Sequence, residues 1–312
     1  MNEGTHAYAQ DPRNDDILIY VNGELVPRDQ AKVSVFDSGF CLGDGVWEGI
    51  RLHNGRFWAL DRHLDRLWEG AKVLAIDIGL SRAELTDALN KTVRANDMET
   101  GVHVRLMVTR GVKRTPSQDP RLNVGGPTIV IIAEHKVADA KVAEQGLSLV
   151  TSHIRRGRAD VQDPRLNSHS KINCILAMVQ AIAVGAGEAL MLDPDGFVST
   201  CNATNFFIVR RGEVWTSTGR YCLNGITRGI VLEIARDADL SALERDFTLT
   251  DVYSADEAFV TGTFGGVTPV TEVDGRTIGD GRRGTITHRL QRLYAARVEL
   301  ECPPVGRSGG TD

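Results

Sequence analysis

The sequence predicts an α+β protein of two domains, a small N-terminal α/β domain over residues 17–135 and a larger C-terminal α/β domain over residues 146–302. Three observations carry this reading. Asn-Gly pairs at 22–23 and 54–55 separate short runs of strand-forming residues, the signature of type I′ hairpin turns. Apolar residues then recur at helical spacing from residue 64 onward. Through the second half, strand-like and helix-like segments are interleaved without an internal repeat. A length of 312 residues suits two such domains, each able to bury a core.

Taken in order, residues 17–21 and 24–26 pair around Asn22-Gly23, and residues 46–52 and 56–60 around Asn54-Gly55. Leu64, Leu67, Trp68 and Leu74 place a helix that starts near Asp61. Ser81-Arg82-Ala83-Glu84 is a capping box that opens the next helix, to about residue 95. Strands follow at 102–109 and 128–133, joined by the long Pro-bearing loop 111–126. Loops of that length are often functional. The polar residues 136–145 read as a linker. Beyond it come a strand at 148–152, a helix from about Lys171, and strands near 188–192, 205–209 and 213–216. A helix from about Thr227, strands near 243–249, 258–261 and 267–273, and a last helix over 285–298 complete the set. Residues 1–16 and 303–312 read as disordered tails; the first lacks the apolar stretch of a signal peptide.

Composition narrows the function classes. The chain is 42% hydrophobic and 25% charged, ordinary for a soluble globular protein. A net charge of −5 argues against nucleic acid as the main partner. No apolar run approaches the ~18–20 residues of a membrane span. The five cysteines are scattered, odd in number and without CxxC spacing, which fits a reduced cytoplasmic protein with neither a metal site nor a disulfide framework. The GxSxG, HExxH and strand-following GxGxxG patterns are missing, and the eight histidines do not cluster at ligand spacing. Hydrolase, zinc and dinucleotide readings therefore lack support.

Three features could carry chemistry. Lys171, in Asn167-Ser168-His169-Ser170-Lys171, is an amine at a loop-to-helix junction with no run of charges around it. Gly225-Ile226-Thr227 lies just before a helix, where outward N–H groups and the dipole favour an anion; read alone, it is more often an ordinary helix cap. Thr261-Gly262-Thr263-Phe264-Gly265-Gly266 is a second glycine-rich turn after a strand, and a plain β-turn is its other reading. One amine with two candidate phosphate cups suggests a Schiff base to a phosphorylated aldehyde. Arg66, in a helical pattern, is by default a surface ion pair. Arg105 alternates with Val104 and Leu106 and so is either solvated or a carboxylate clamp.

In this order, the segments Phe40-Cys41-Leu42-Gly43-Asp44-Gly45-Val46-Trp47-Glu48-Gly49-Ile50-Arg51, His63-Leu64-Asp65-Arg66-Leu67, Glu188-Ala189-Leu190-Met191-Leu192-Asp193, Asn205-Phe206-Phe207, Leu223-Asn224-Gly225-Ile226-Thr227-Arg228 and Val267-Thr268-Pro269-Val270 resemble the class IV aminotransferases, the fold-type IV enzymes of pyridoxal 5′-phosphate (PLP). The resemblance covers roughly residues 17 to 300. It implies the D-amino-acid aminotransferase-like two-domain fold, a PLP cofactor, an amino donor and a keto acid as substrates, and a homodimer. It also implies roles. Arg66, Gly225, Ile226, Thr227, Gly262 and Thr263 would hold the phosphate, and Leu223 would pack on the pyridine ring. Trp47, the loop 111–126, Phe264 and Gly265 would shape the substrate pocket, with Arg105 or Arg114 as the carboxylate clamp. Residues 46–51 look most like the branched-chain subgroup, whereas Gly111-Val112-Lys113-Arg114-Thr115-Pro116 is also similar to the D-amino-acid and R-amine subgroups, so the stereochemistry stays open.

Two positions depart from the family pattern. Where it usually has the carboxylate that protonates the pyridine nitrogen, this chain has Thr200, and a hydroxyl cannot hold a pyridinium as an ion pair would. Where it usually has the Schiff-base lysine, this chain has Asn167. Lys171 lies four residues on, one helical turn and about 5–6 Å away between Cβ atoms if residues 167–171 are helical. The expectation is a PLP-dependent transaminase in which Lys171 has taken over as Schiff base and general acid/base. A PLP lyase of the same fold, or a non-catalytic relative in which Lys171 is a surface lysine, are the alternatives.

Overall fold

The computed structural model describes residues 4–304; residues 1–3 and 305–312, parts of the two expected tails, lie outside the described residues. The chain builds two sheets with helices packed on them. In the first half, β1 (Leu18–Val21) and β2 (Glu24–Pro27) form the expected hairpin, with Asn22 at φ 48° and Gly23 at φ 101°, the left-handed pair a type I′ turn requires. The short helix α1 (Ser38–Leu42) precedes β3 (Gly45–His53), and a second Asn-Gly turn leads to β4 (Arg56–Phe57). Helices α2 (Leu60–Val73) and α3 (Arg82–Ala95) follow. The capping box of α3 is in place: Glu84 N donates to Ser81 Oγ at 3.2 Å and Ser81 N to the Glu84 carboxylate at 2.7 Å. Strands β5 (Val102–Thr109) and β6 (Thr128–His135) complete a sheet of order β2-β1-β6-β5-β3-β4.

The period of two along β5 sorts its side chains. Val102, Val104, Leu106 and Val108 are fully buried in the core beneath α2 and α3, while His103, Arg105 and Met107 project from the other face. On β3, Trp47, Gly49 and Arg51 stand opposite Met107, Arg105 and His103 in the ladder. One face of this sheet is thus a hydrophobic core and the other a wall carrying cations and aromatics.

The second half adds α4 (Ala140–Gln145), β7 (Leu147–Thr151), α5 (Ala159–Gln162), α6 (Ile172–Ala183), β8 (Glu188–Leu192), β9 (Val198–Cys201), β10 (Asn205–Arg210) and β11 (Glu213–Thr216). It continues with α7 (Ile226–Asp237), β12 (Ala242–Glu244), α8 (Leu249–Tyr253), β13 (Glu257–Gly262), β14 (Gly266–Val273), β15 (Arg276–Thr277) and α9 (Thr285–Glu301). Its sheet runs β12-β11-β10-β13-β14-β7-β8-β9, with β15 paired to β14. All five residues of β8 are buried, as a strand covered on both faces should be. Apolar clusters lie on the two faces of this sheet.

Three segments differ from the sequence reading. The strand expected over 243–249 stops at Glu244, because Thr248 and Asp251 cap a helix: Thr248 N donates to Asp251 Oδ2 at 3.0 Å, closing a box that opens α8. The polar segment read as a linker contains α4, started by Asp139, whose side chain accepts from Lys141 N. Residues 4–16, read as part of a tail, lie against the protein: Asn14 exchanges hydrogen bonds of 2.9 and 2.8 Å with the backbone of His135, and Thr5 is buried. Among the described residues, no helix is long and apolar enough to cross a membrane.

Candidate active site

The cationic wall of the first sheet faces the β9–β10 turn and the α7 start of the second, and the cleft between them has two chambers. Both are bordered by His6, Trp47, Arg105, Asn167, Asn205 and Leu223. The smaller, of about 100 Å³, brings together Arg66, Gly225, Ile226, Thr227, Gly262, Thr263, Phe264 and Gly265, all named from sequence. The larger, of about 640 Å³, takes in Lys171, Thr200, Arg156, Cys174, Met107 and Met178. Arg114 is exposed and borders neither chamber; its backbone N–H is tied to Leu122 O at 2.9 Å within the loop.

The smaller chamber is built for an anion. Gly225 is the N-cap of α7, so the unpaired N–H groups of the first turn open here. The close fit explains the glycine: a Cβ at 225 would run into the amide oxygen of Asn205, whose Nδ2 donates to Leu223 O at 2.9 Å. Thr261 Oγ1 is buried without a partner and borders the same space, a hydroxyl left for a ligand. Arg66 is held by a carboxylate absent from the sequence-based site, Glu48. Arg66 Nε and Nη2 reach its two oxygens at 2.8 and 2.7 Å, and His63 Nδ1 lies 2.6 Å from Oε2. Burial pushes the Glu48 carboxyl up, but the Arg66 charge and the hydrogen bonds from Arg66 and His63 outweigh it and hold it below its ordinary value. Burial drives His63 the other way, so it is a neutral imidazole donating from Nδ1. A signal for Glu48 existed: it shares the core face of its strand with Val46, Ile50 and Leu52, where a lone Glu needs a buried partner.

The larger chamber holds both departures. Residues 167–169 are sewn to β3: Trp47 N donates to Asn167 O at 3.1 Å, Trp47 Nε1 to Ser168 O at 3.0 Å, and His169 N to Gly45 O at 2.9 Å. Asn167 Nδ2 donates to Trp47 O at 2.5 Å and lies 3.4 Å from Glu48 Oε1, while its buried Oδ1 has no partner. Lys171 occupies the N-cap of α6, and its Nζ lies 5.7 Å from the centre of the Trp47 ring. Its ammonium is disfavoured by burial and by the Arg156 and Arg66 charges, against an opposing pull from Cys174 and Glu48, and its pKa falls to about 8. Thr200 Oγ1 already gives its hydrogen to Thr204 O at 2.7 Å, so it offers the chamber lone pairs rather than a donor. Arg105 lies 3.7 Å over the Trp47 ring. Arg156 is buried and donates to Tyr221 O, Asn173 Oδ1 and Cys174 Sγ. Among the described residues, no carboxylate lines this chamber, so its charge is wholly positive.

These side chains fit a phosphorylated aldehyde: an anion cradle at a helix start, an apolar Leu223 between the chambers, and an amine that is partly neutral near pH 8. Known proteins agree. The chain is 41% identical over 296 residues to the branched-chain-amino-acid aminotransferase-like protein 1 of Arabidopsis thaliana, covering 94% of this chain and 53% of that one. It spans about half the length of that curated relative and of its paralogue, like protein 2. It is also 41% identical over 277 residues to a putative branched-chain-amino-acid aminotransferase of Methanocaldococcus jannaschii, covering 88% and 94% of the two chains. The solved branched-chain aminotransferase of the archaeon Thermoproteus uzoniensis with norvaline superposes with a TM-score of 0.82 at 31% identity, over 92% of this chain and 96% of that one. The family model described as amino-transferase class IV matches residues 45–273, the stretch that carries both β3 and the glycine-rich turn, and the chain belongs to that family.

Proposed function

We propose that the chain is a PLP-dependent aminotransferase moving an amino group from an amino acid or amine to a 2-keto acid, with Lys171 as its working amine. The observation that carries this is the placement of Lys171: a half-buried amine in an all-cationic chamber that opens onto an anion cradle. When bound, the cofactor supplies an electron sink for the carbon that loses its proton. Arg66, the α7 start, Thr261 and Thr263 would hold the phosphate, and Leu223 would pack on the ring. Lys171, as a neutral amine, would be the group that links to the cofactor's aldehyde with loss of water and, once freed by the substrate amine, would be the base that takes the proton from the substrate α-carbon. Arg105, backed by the Trp47 ring, binds the substrate carboxylate, and Met107, Ile175 and Met178 receive an apolar side chain. Thr200 would leave the pyridine nitrogen without a carboxylate, so proton handling rests more heavily on Lys171.

Two features support a homodimer. Helix α6 buries only Ala177 and Ala181 while Ile172, Ile175, Leu176, Val179 and Ile182 are exposed, and Ile175 also borders the larger chamber. Phe40 and Leu42 of α1 are exposed beside it, linked through Ser170 Oγ and Gly43 O at 3.2 Å. A second copy covering this face would complete the mouth of the cleft. Five free cysteines fit a reducing compartment, and we place the protein in the cytoplasm.

The test is a half-reaction read by absorbance. A panel of L- and D-amino acids and of R- and S-amines is added to the cofactor-loaded protein, followed by pyruvate or 2-oxoglutarate. The reading requires at least one donor to shift the near-visible band and a keto acid to restore it. A protein that binds the cofactor but shows no shift with any donor is not an aminotransferase.

A further inference from the structure

Asn167 carries an acceptor that the fold leaves unused. The residue is 5% exposed and borders both chambers. Its backbone is fixed against β3: Trp47 N donates to Asn167 O at 3.1 Å, and the next residue, Ser168, bridges Val46. The carboxamide has one allowed orientation. Nδ2 lies 2.5 Å from Trp47 O and 3.4 Å from Glu48 Oε1, and both of these atoms are acceptors. Turning the amide over would set its oxygen against a carbonyl and a carboxylate, so the nitrogen faces β3 and the oxygen is turned away from it. Oδ1 is then a buried acceptor with no partner in the protein, a place left for a ligand's donor.

The surroundings of Oδ1 select the donor. Lys171, Arg105 and Arg156 line the larger chamber with hydrogen-bond donors and positive charge. A ligand carboxylate or phosphate is served by those groups and gains nothing from an oxygen that only accepts. An aldehyde or a keto group has no hydrogen to give it. An amino group does. The Glu48 carboxylate on the far side of the amide draws on Nδ2–H and so makes Oδ1 more negative, a stronger acceptor for such a group.

We propose that Asn167 is an amine-binding residue, its Oδ1 accepting a hydrogen from the amino group of the amine form of the cofactor, pyridoxamine 5′-phosphate. This rests on the cofactor reading above. A ring anchored by its phosphate in the smaller chamber and extending into the larger would carry its amino group past the residue that the two chambers share. Asn167 then favours the state between the two half-reactions, in which the cofactor holds the nitrogen taken from the donor.

The experiment uses the full chain freed of cofactor and two probes titrated by calorimetry, pyridoxamine 5′-phosphate and 4-deoxypyridoxine 5′-phosphate, which has hydrogen in place of the amino group. Neither links to a lysine, so binding alone is read. The measured quantity is the ratio of the two affinities. Wild type binds the amine more tightly. Asn167→Leu, similar in size, lowers the ratio about 10-fold or more, the worth of a hydrogen bond to a charged group. Losing the Nδ2 bonds to β3 would loosen the site for both probes alike, so a purely structural role leaves the ratio unmoved. A wild-type ratio in Asn167→Leu, or a wild type that binds the two probes equally, overturns the inference and leaves the aminotransferase reading intact. Should Asn167→Leu fold poorly, Asn167→Ala decides by the same ratio. A wild type that binds neither probe overturns the cofactor reading, and this inference with it.

Discussion

The two chambers of the cleft are built by different means. The smaller is made of backbone and of a buried network: the start of α7, the glycine turn at 262–266, and Glu48 locking Arg66 and His63. The larger is made of side chains that a single substitution can exchange: Asn167, Lys171, Thr200, Arg156. The anion cradle proposed for the smaller chamber is tied to helix geometry and to a buried ion pair that is costly to half-remove. Residues 167–171 are not the helical turn the sequence suggested: Ser168 bridges Val46 of β3 and α6 begins only at Ile172, so Asn167 and Lys171 stand at two points of an extended approach to the larger chamber.

This contrast can be broken or sharpened from its reactive end first. Lys171→Ala should lower kcat by about 10²–10⁴-fold, the usual loss for a positioned acid–base group, while the affinity for pyridoxamine 5′-phosphate, which needs no lysine linkage, changes little. Equal loss of cofactor affinity would mean that the chambers are not separable. Glu48→Gln should act in the opposite sense. Breaking the buried pair with Arg66 should cost about 3–5 kcal/mol of stability and cofactor retention together, read by thermal unfolding with and without cofactor. A variant as stable as wild type would show that Glu48 does not organise the cradle.

The two smaller effects concern the charge of the larger chamber. An amine links to an aldehyde only when deprotonated, and burial brings the pKa of Lys171 to about 8 from the ordinary 10.5. The rate of its linkage to added cofactor should therefore rise with pH to about 8 and level off above it. A rate still climbing near pH 10 would place the amine in solvent. Thr200→Glu puts a carboxylate on the wall that also carries Arg156, and it should shift the near-visible band and its pH dependence without altering phosphate binding. An unchanged spectrum would mean that position 200 does not face the ring nitrogen.

The sequence made the smaller chamber legible and the larger only partly so. The Asn-Gly hairpins, the capping box at Ser81, and strands such as residues 102–109 follow from local rules, whereas Thr227 and Thr263 were named from the family resemblance, since by local rules alone they read as a helix cap and a plain turn. What stayed hidden depends on distant pairing. His6 and Thr5 were read as tail because their partners, Phe264 and Glu188, lie more than 180 residues away. Arg156 gave no signal because its acceptors are backbone carbonyls and an amide brought in by the fold. Arg114 was named for its loop, and the loop holds it in solvent. The end of β12 was missed because Thr248-Leu249-Thr250-Asp251 reads as strand by propensity but as a helix cap by its hydrogen bonds.

The central claim, that Lys171 is the working amine of this site, is tested most directly by reducing the cofactor-loaded protein with borohydride and mapping the modified peptide by mass spectrometry. The account predicts a single phosphopyridoxyl group on Lys171, lost in Lys171→Ala and regained at position 167 in the double variant Asn167→Lys, Lys171→Ala. A label on any other lysine of the wild-type chain, or none despite bound cofactor, would contradict it.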